Sequence, residues 1–223
     1  MNLFLTQPLH RIIKNQDMKN QLFLFVVMMA LATTVAAQSN TVGVTRNEPD
    51  TNPQTDSIKT RQTVGVAIDL LPTIMSAATG SFGYSGQLWY GYNKFRVRGL
   101  IAKFQMPDKL MGNADYKNLK TTATAVIIDY FKDYNFEGWW LGAGVEMWNN
   151  TITSKSDNNN YLFNDYVATA GCGYIFKVYS NFYIEPWGAV HYVLNNEQVV
   201  VYATTYSTKK FQGELSLKVG WHF

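Results

Sequence analysis

The chain of 223 residues has few groups that could hold a fold together through covalent or metal cross-links. Its single cysteine, Cys172, excludes an internal disulfide and a cysteine-based zinc site. Charged residues make up only 16% of the sequence, against roughly 25% in soluble globular proteins. The net charge is +3, and no cluster or stripe of Lys and Arg that would track phosphates is present, so no nucleic-acid partner is predicted. Much of the surface is therefore expected to face something other than water.

Aromatic and β-branched residues are abundant instead, with 14 Tyr, 13 Phe and 6 Trp. From about residue 63 onward there is no sustained 3.6-residue periodicity, and stretches rich in Val, Ile, Tyr, Trp and Thr alternate with Asn, Asp, Gly and Lys. This pattern predicts an all-β domain of eight strands, several of them longer than the usual five or six residues. The predicted strands are residues 63–72, 82–92, 94–106, 120–132, 136–149, 161–178, 181–194 and 210–223.

The first part of the chain is typical of a targeting segment. The stretch MKNQLFLFVVMMALATTVAAQ begins at Met18 with a basic residue, continues as an apolar run and ends in small residues before Gln38. It predicts a secretory signal peptide cleaved after Ala37, with translation starting at Met18. Residues 1–37 are therefore assigned as upstream leader and signal peptide, 38–62 as a disordered periplasmic tail rich in polar residues and proline, and 63–223 as the folded domain.

The links between predicted strands alternate in length. Tight turns are expected around residues 92–94, 132–135 and 179–181, and long links at 72–81, 107–119, 149–160 and 195–209. Short periplasmic turns and longer extracellular loops are typical of an antiparallel up-and-down transmembrane barrel in an outer membrane. The structural alternative is a soluble lipocalin-like ligand-binding barrel, which keeps apolar residues inside and polar ones outside.

The faces of the strands favour the membrane barrel. Placing one side of every strand inward collects charges of both signs in the lumen, where each charge needs a partner. Eight strands leave an interior just wide enough for side chains, so we predict a filled lumen and no open channel. The predicted luminal polar residues are Asp69, Gln87, Arg96, Arg98, Asp129, Glu146, Asp165, Lys177, Glu185, His191, Glu214 and Lys218.

The last strand, GELSLKVGWHF, carries apolar residues at every second position up to the terminal residue. These residues are Leu215, Leu217, Val219, Trp221 and Phe223. The pattern resembles the assembly signal of bacterial outer-membrane β-barrel proteins, which the barrel-assembly machinery recognises, although Trp221 stands where tyrosine is more usual. The whole domain is similar in layout to the small eight-stranded members of that group. The resemblance implies a location in the outer membrane of a Gram-negative cell, with membrane lipid and the assembly machinery as partners.

That group includes adhesion-type, membrane-stabilising and lipid-modifying proteins, some of them porin-like. We expect a non-enzymatic barrel that serves envelope integrity or surface interaction through its extracellular loops. A lipid-modifying enzyme using His191 is the alternative, but Glu185, six positions away on the same face, lies about 20 Å from it along an extended strand. No catalytic residue, metal site or cofactor is predicted. Aromatic girdles at the membrane interfaces are expected from Trp89, Tyr90, Trp139, Trp148, Trp187 and Trp221.

Overall fold

The computed structural model describes residues 62–195, 197–202 and 204–223, so the predicted leader and residues 38–61 of the predicted tail lie outside the described residues. Eight strands close into an antiparallel barrel in the order β1-β10-β7-β6-β5-β4-β3-β2, which confirms the predicted fold class. The elements are β1 Gln62–Asp69, α1 Leu71–Ala77, β2 Tyr84–Tyr92, β3 Phe95–Gln105, α2 Asp108–Met111, β4 Tyr116–Phe131, β5 Gly138–Ser154, β6 Asn160–Tyr179, β7 Phe182–Val193, β8 Gln198–Val201, β9 Thr204–Ser207 and β10 Phe211–His222.

Each barrel strand pairs with its neighbours in the chain, and β1 closes the ring by pairing with β10 from Gly65 opposite His222 to Asp69 opposite Lys218. One end of the barrel carries the chain termini of the domain and the connections 93–94, 132–137 and 180–181, and we call it the turn end. The other end carries α1, α2 and the β8–β9 hairpin, and we call it the loop end. Both helices are far too short to span a bilayer.

Side chains alternate between the inside and the outside of the barrel, as a strand period of two requires. On β4, for example, Ile127 is 2% exposed while the next residue, Ile128, is 53% exposed. The inward positions of all eight strands follow this rule, and they include the charged residues that the sequence places in the lumen, except Lys177, which is exposed. The chemical character of the two barrel faces is therefore set by alternate positions of each strand.

Large aromatic side chains close the turn end from inside. Phe136, in the β4–β5 turn, points into the barrel, where its ring lies 5.4 Å from Phe131 and 5.9 Å from Trp89. Glycines supply the room: a Cβ at Gly91 would collide with the Phe136 ring, and one at Gly173 would lie 2.7 Å from the Trp140 ring. The buried cluster consists of Ala67, Trp89, Phe131, Phe136, Trp140, Ile175 and Tyr183.

The prediction of a long loop at residues 149–160 is wrong. β5 continues to Ser154 and β6 begins at Asn160, so the connection is a short turn rather than a long loop. The reason is that Asn150 and Ile152 keep the inward alternation and are buried. Within the turn, a hydrogen bond from the Tyr161 hydroxyl lowers the pKa of Asp157 to about 2.

The links predicted at 72–81 and 195–209 contain regular structure that the sequence analysis did not find. α1 follows β1 directly, and Ser76 anchors it because the Gln105 amide donates to Ser76 Oγ at 3.0 Å. The second link contains the β8–β9 hairpin, which pairs from Gln198 opposite Ser207 to Val201 opposite Thr204. The loop end is thus built from short folded elements.

A second apolar cluster, which we call the loop-end core, holds these elements together. The Tyr116 hydroxyl donates to the carbonyl of Thr204 at 3.1 Å and lies 3.3 Å from that of Val199, so β4 is tied to the hairpin. The extensions of β4, β5 and β6 thereby continue past the barrel as walls of this core. Its residues are Met111, Tyr116, Leu119, Ile152, Phe163, Val199, Val201 and Tyr206.

The tryptophans only partly follow the predicted girdles. Trp139 and Trp221 are exposed on the outer face. The prediction is wrong for Trp89 and Trp148, which are buried in the interior, and for Trp187, whose ring covers the luminal Lys218. Proximity to a strand end could not decide between the two faces, whereas the alternation of each strand does.

We predict that Phe136→Ala lowers the free energy of unfolding by about 3–5 kcal/mol, because it leaves a cavity at the turn end that the rigid strands cannot close. The backbone at Phe136 has a positive φ of 57°, but alanine bears the same strain as phenylalanine there, so the change reports packing. Urea unfolding of the refolded protein in lipid vesicles measures the difference.

The matched control is Phe82→Ala, since Phe82 is 80% exposed in the β1–β2 connection. Its effect should remain within about 0.5 kcal/mol. Equal losses for the two variants would show that Phe136 does not close the barrel.

Candidate functional site

Arg96 occupies the centre of the barrel and joins its opposite walls. Its Nε donates to Asp129 Oδ2 at 2.7 Å, and Nη1 and Nη2 donate to the two carboxylate oxygens of Glu185 at 3.2 and 2.9 Å. All three side chains are fully buried. Because β3 and β7 are diametrically opposed in the ring of eight strands, the pair between Arg96 and Glu185 spans the lumen.

Arg98 extends this contact toward the loop end. Its Nε and Nη2 donate to the two oxygens of Asp129 at 2.9 and 3.3 Å, and its Nη1 donates to Gln87 Oε1 at 3.3 Å. Asp129 is therefore shared by two arginines. Such sharing satisfies the hydrogen-bonding groups of charges that would be costly to bury alone.

Aromatic rings surround the cations. The guanidinium carbon of Arg98 lies 4.9 Å from the Trp140 ring centroid, and Lys218 Nζ lies 3.8 Å from that of Trp187. Lys218 Nζ is also 3.5 Å from Glu185 Oε1. Cation–π contacts of this kind are strongest where water is excluded, as it is here.

Asp69 links the charged residues to the first strand and helix. It accepts hydrogen bonds from Trp187 Nε1 at 2.8 Å, from the Leu71 amide at 3.0 Å and from the Ser216 hydroxyl. Three cations are thus collected with three carboxylates in the middle of the lumen. We call them the central charged cluster: Arg96, Arg98, Lys218, Asp69, Asp129 and Glu185.

A second polar group lies nearer the loop end, around His191. Nε2 of the ring is 3.0 Å from Glu214 Oε2, and Nδ1 is 2.9 Å from Thr169 Oγ1 and 3.3 Å from Glu146 Oε1. Glu146 also accepts from Thr169 at 2.6 Å and from Trp148 Nε1 at 2.7 Å. We call these residues the His191 group. Both ring nitrogens are engaged and the residue is 4% exposed.

The predicted luminal residues therefore fall into four places. Six form the central charged cluster and three, Glu146, His191 and Glu214, belong to the His191 group. Asp165 lies apart, where it accepts from Asn150 at 2.8 Å and from Thr208 at 2.6 Å. Gln87 supports Arg98, whereas Lys177 reaches the turn end and pairs with Glu137 at 3.5 Å.

Sequence reasoning missed some partners of these residues. Trp148 follows Glu146 by two positions and therefore lies on the same face of β5. This spacing could have identified the two residues as partners. Thr169 and Ser216 carried no such signal, because isolated hydroxyl residues are common in strands. Within the described parts of the chain, no group of three or more His, Cys, Asp or Glu side chains could hold a metal ion.

A cavity of about 150 Å³ lies inside the loop half of the barrel, between α1 and the central charged cluster. Its walls include Met75 of α1, Leu100 and Ala102 of β3, and parts of the His191 group. The cavity is therefore in contact with both polar groups of the lumen.

The last strand presents its alternating apolar row outward. Leu215, Leu217, Trp221 and Phe223 are exposed on the outer face, and Val219 is half-buried on the same side. The terminal residue is held in the barrel wall, because the Phe223 amide donates to the Val64 carbonyl at 2.8 Å. The apolar row thus continues to the end of the chain.

We predict that Arg96→Met lowers the free energy of unfolding by about 3–5 kcal/mol, because it leaves the buried Glu185 without its guanidinium and leaves Asp129 with that of Arg98 alone. Lys177→Met is the matched control, since its pair with Glu137 is partly exposed to solvent and should contribute less than about 1 kcal/mol. Urea unfolding in lipid vesicles compares the two. A loss below that of the control would mean that the pair across the lumen does not stabilise the barrel.

No protein-family model matches the sequence, and no curated protein matches it. Among solved structures, the chain is similar to the N-terminal β-barrel domain of OprF from Pseudomonas aeruginosa, with 13% identity, a TM-score of 0.44, and coverage of 74% of this chain and 100% of that one. It is also similar to a major outer membrane protein from Thermus thermophilus, with 10% identity, a TM-score of 0.46, and coverage of 73% of this chain and 99% of that one.

Proposed function

We propose that the protein is a non-enzymatic β-barrel of a Gram-negative outer membrane that serves envelope integrity or surface interaction through its loop end. The observation that carries this proposal is the outer surface of the barrel. Two rows of exposed aromatic side chains lie on it, one near each end, as in proteins whose rings lie at the two interfaces of a bilayer. The turn-end row is Tyr92, Phe95, Tyr130, Trp139, Tyr179, Trp221 and Phe223, and the loop-end row is Tyr84, Tyr166, Tyr192 and Phe211.

The separation of the rows supports the membrane assignment. Phe211 and Trp221 are ten positions apart on β10. At about 3.3 Å per residue and a tilt of 35–45°, that length corresponds to roughly 25 Å along the barrel axis. This is the height of the apolar band of outer-membrane barrels.

The outer surface between the two aromatic rows, which we call the apolar belt, also supports the membrane assignment. On β2, β6 and β10, the strands that carry both rows, the outward positions hold no charged side chain. Leu215, in the middle of the belt, is 83% exposed, and water would penalise so large an apolar surface. The outward positions are Gly86, Leu88 and Tyr90 on β2, then Ala168, Ala170, Cys172, Tyr174, Phe176 and Val178 on β6, and Gly213, Leu215, Leu217 and Val219 on β10.

The interior argues against the soluble lipocalin-like alternative. Such a barrel turns its apolar face inward around a ligand. Here the centre of the lumen holds the central charged cluster, while the apolar face is outside. The same cluster fills the cross-section together with Trp140, so passage of solutes through an open pore is not the proposed role.

In this placement the turn end is periplasmic and the loop end extracellular. The loop-end core gives the extracellular side a folded surface, from which Tyr202 and Val200 of the hairpin region and Phe82 project. These exposed apolar side chains are available for contact with a partner. We therefore assign the surface-interaction role to this end.

A non-enzymatic role is supported by the His191 group. A lipid-modifying enzyme needs a base, a nucleophile and an oxyanion donor where the substrate enters. His191 is buried, its ring nitrogens face Glu214, Glu146 and Thr169, and Thr169 also donates to Glu146. The group is arranged as a structural contact between β5, β6, β7 and β10.

We predict that Leu215→Arg destabilises the membrane-inserted barrel by about 2–4 kcal/mol, because it places a cation in the middle of the lipid-facing belt. Val200→Arg, the same substitution on the hairpin outside the belt, should change stability by less than about 0.5 kcal/mol. Urea unfolding in vesicles measures both.

Cell fractionation provides the independent measurement. The wild-type protein should be recovered in the outer-membrane fraction and should migrate differently on gels before and after heating. Recovery in the soluble periplasmic fraction, or equal tolerance of the two arginine variants, would overturn the membrane assignment.

We predict that His191→Gln leaves the lipid A and phospholipid profile of the producing cells unchanged, because the residue performs no chemistry. Mass spectrometry of extracted lipids should also give the same profile for a gene-deletion strain. Glutamine retains a hydrogen-bond donor for Glu214, and gel migration verifies folding. A change in acyl chains that the wild-type gene reverses and the His191→Gln gene does not would establish an enzyme.

A further inference from the structure

The cavity in the loop half of the barrel has an apolar body and a polar floor. Every barrel strand except β6 contributes to its walls, and α1 contributes Leu71, Pro72 and Met75. The apolar part of the lining includes Met75, Leu100, Ala102, Phe104, Trp148 and Trp187. Water would make few hydrogen bonds against most of these surfaces, so the lining favours an organic occupant.

Two buried donors on the lining make no hydrogen bond to any of the described residues. One is Lys218 Nζ, on a side chain that is 2% exposed and whose contacts are the 3.5 Å approach to Glu185 and the ring of Trp187. The other is Gln87 Nε2, because Arg98 donates to Gln87 Oε1 and so directs the amide oxygen away. Buried donors of this kind are normally satisfied, so an acceptor is expected beside them.

The carboxylates on the lining do not fill that role. Asp69 accepts from Trp187, Leu71 and Ser216, and Glu146 accepts from Thr169 and Trp148. The nearest partner of Lys218, Glu185, is held by both terminal nitrogens of Arg96. Glu214, the third carboxylate on the lining, faces His191 Nε2 at 3.0 Å. The ammonium of Lys218 therefore favours an anionic acceptor.

The volume limits the size of the occupant. Cavities of about 150 Å³ lined by apolar side chains bind molecules of the size of benzene. A single ring, or an alkyl chain of similar volume, therefore fits the apolar part, and one small anionic group fits the floor.

We propose that this cavity binds a small apolar carboxylate, with its anionic group at Lys218 Nζ and Gln87 Nε2 and its apolar body against β3 and α1. This inference goes beyond the proposed function, since it assigns a ligand site inside the barrel rather than a role to its surface. α1 covers the site, because Met75 lines the cavity while Ser76 of the same helix is tied to Gln105 of β3.

The test uses 4-fluorobenzoate as the probe and fluorine NMR of the full-length protein refolded in lipid nanodiscs. Saturable binding above empty nanodiscs is expected for the wild type. Lys218→Met should weaken it by at least about tenfold, since a charge-assisted hydrogen bond is lost. Met75→Trp, which fills the cavity from the helix and leaves the strands untouched, should abolish it. Lys210→Met is the matched control at an exposed lysine and should bind as the wild type does.

Two further probes separate the chemistry of the ring from that of its charge. Fluorobenzene tests the apolar body alone, and 4-fluorobenzylamine tests attraction to Glu214, which keeps part of its side chain exposed. Both should bind at least about tenfold more weakly than 4-fluorobenzoate. Equal or tighter binding of either one overturns the assignment of the anionic group. If 4-fluorobenzoate shows no saturable binding up to 10 mM, its binding free energy is weaker than roughly −3 kcal/mol. That result overturns the site and indicates that water fills the cavity.

Discussion

The barrel depends on one buried contact, the bidentate pair between Arg96 and Glu185. A guanidinium and a carboxylate each lose hydration in the interior, and their attraction offsets that loss only when the geometry is good and the other donors are satisfied. The two terminal nitrogens of Arg96 meet both oxygens of Glu185, and its Nε meets Asp129. The rest of the lumen follows from this requirement, because Arg98 balances Asp129 and the Trp140 ring occupies space that water would otherwise fill.

The sequence predicts which side of each strand these residues occupy, because a strand has a period of two and the outer face of a membrane barrel accepts few charges. It does not predict which luminal residues are in contact with one another. The order of strands makes β3 and β7 opposite, but whether Arg96 meets Glu185 or another acid depends on the stagger of the strands around the ring, a property of closure. The strand period therefore places His191 in the lumen but does not identify Glu146 and Glu214 as its neighbours.

The errors lie at the loop end, and they have a common physical cause. Beyond the apolar belt both faces of a strand can be polar, so composition no longer distinguishes a strand from a loop. The stretch NNTITSKSDNNN resembles a loop for this reason, yet Asn150 and Ile152 continue the inward alternation of β5. α1 was missed because seven residues are too few for a helical period, although Pro72 at its first turn is a typical helix start.

The two halves of the lumen differ in how they are filled. At the turn end, glycines such as Gly91 and Gly173 face Phe136 and Trp140, so each large ring has a matching gap and the layer is dense. In the loop half, Ala102 and Ala123 leave space between the walls, and Met75 of α1 enters from above. The strands on either side are joined by continuous ladders, whereas α1 is held by a few hydrogen bonds at Asp69, Thr73 and Ser76. Local opening of α1 is therefore expected to cost much less free energy than opening of the barrel, and exchange of the proposed ligand would require no change in the barrel strands.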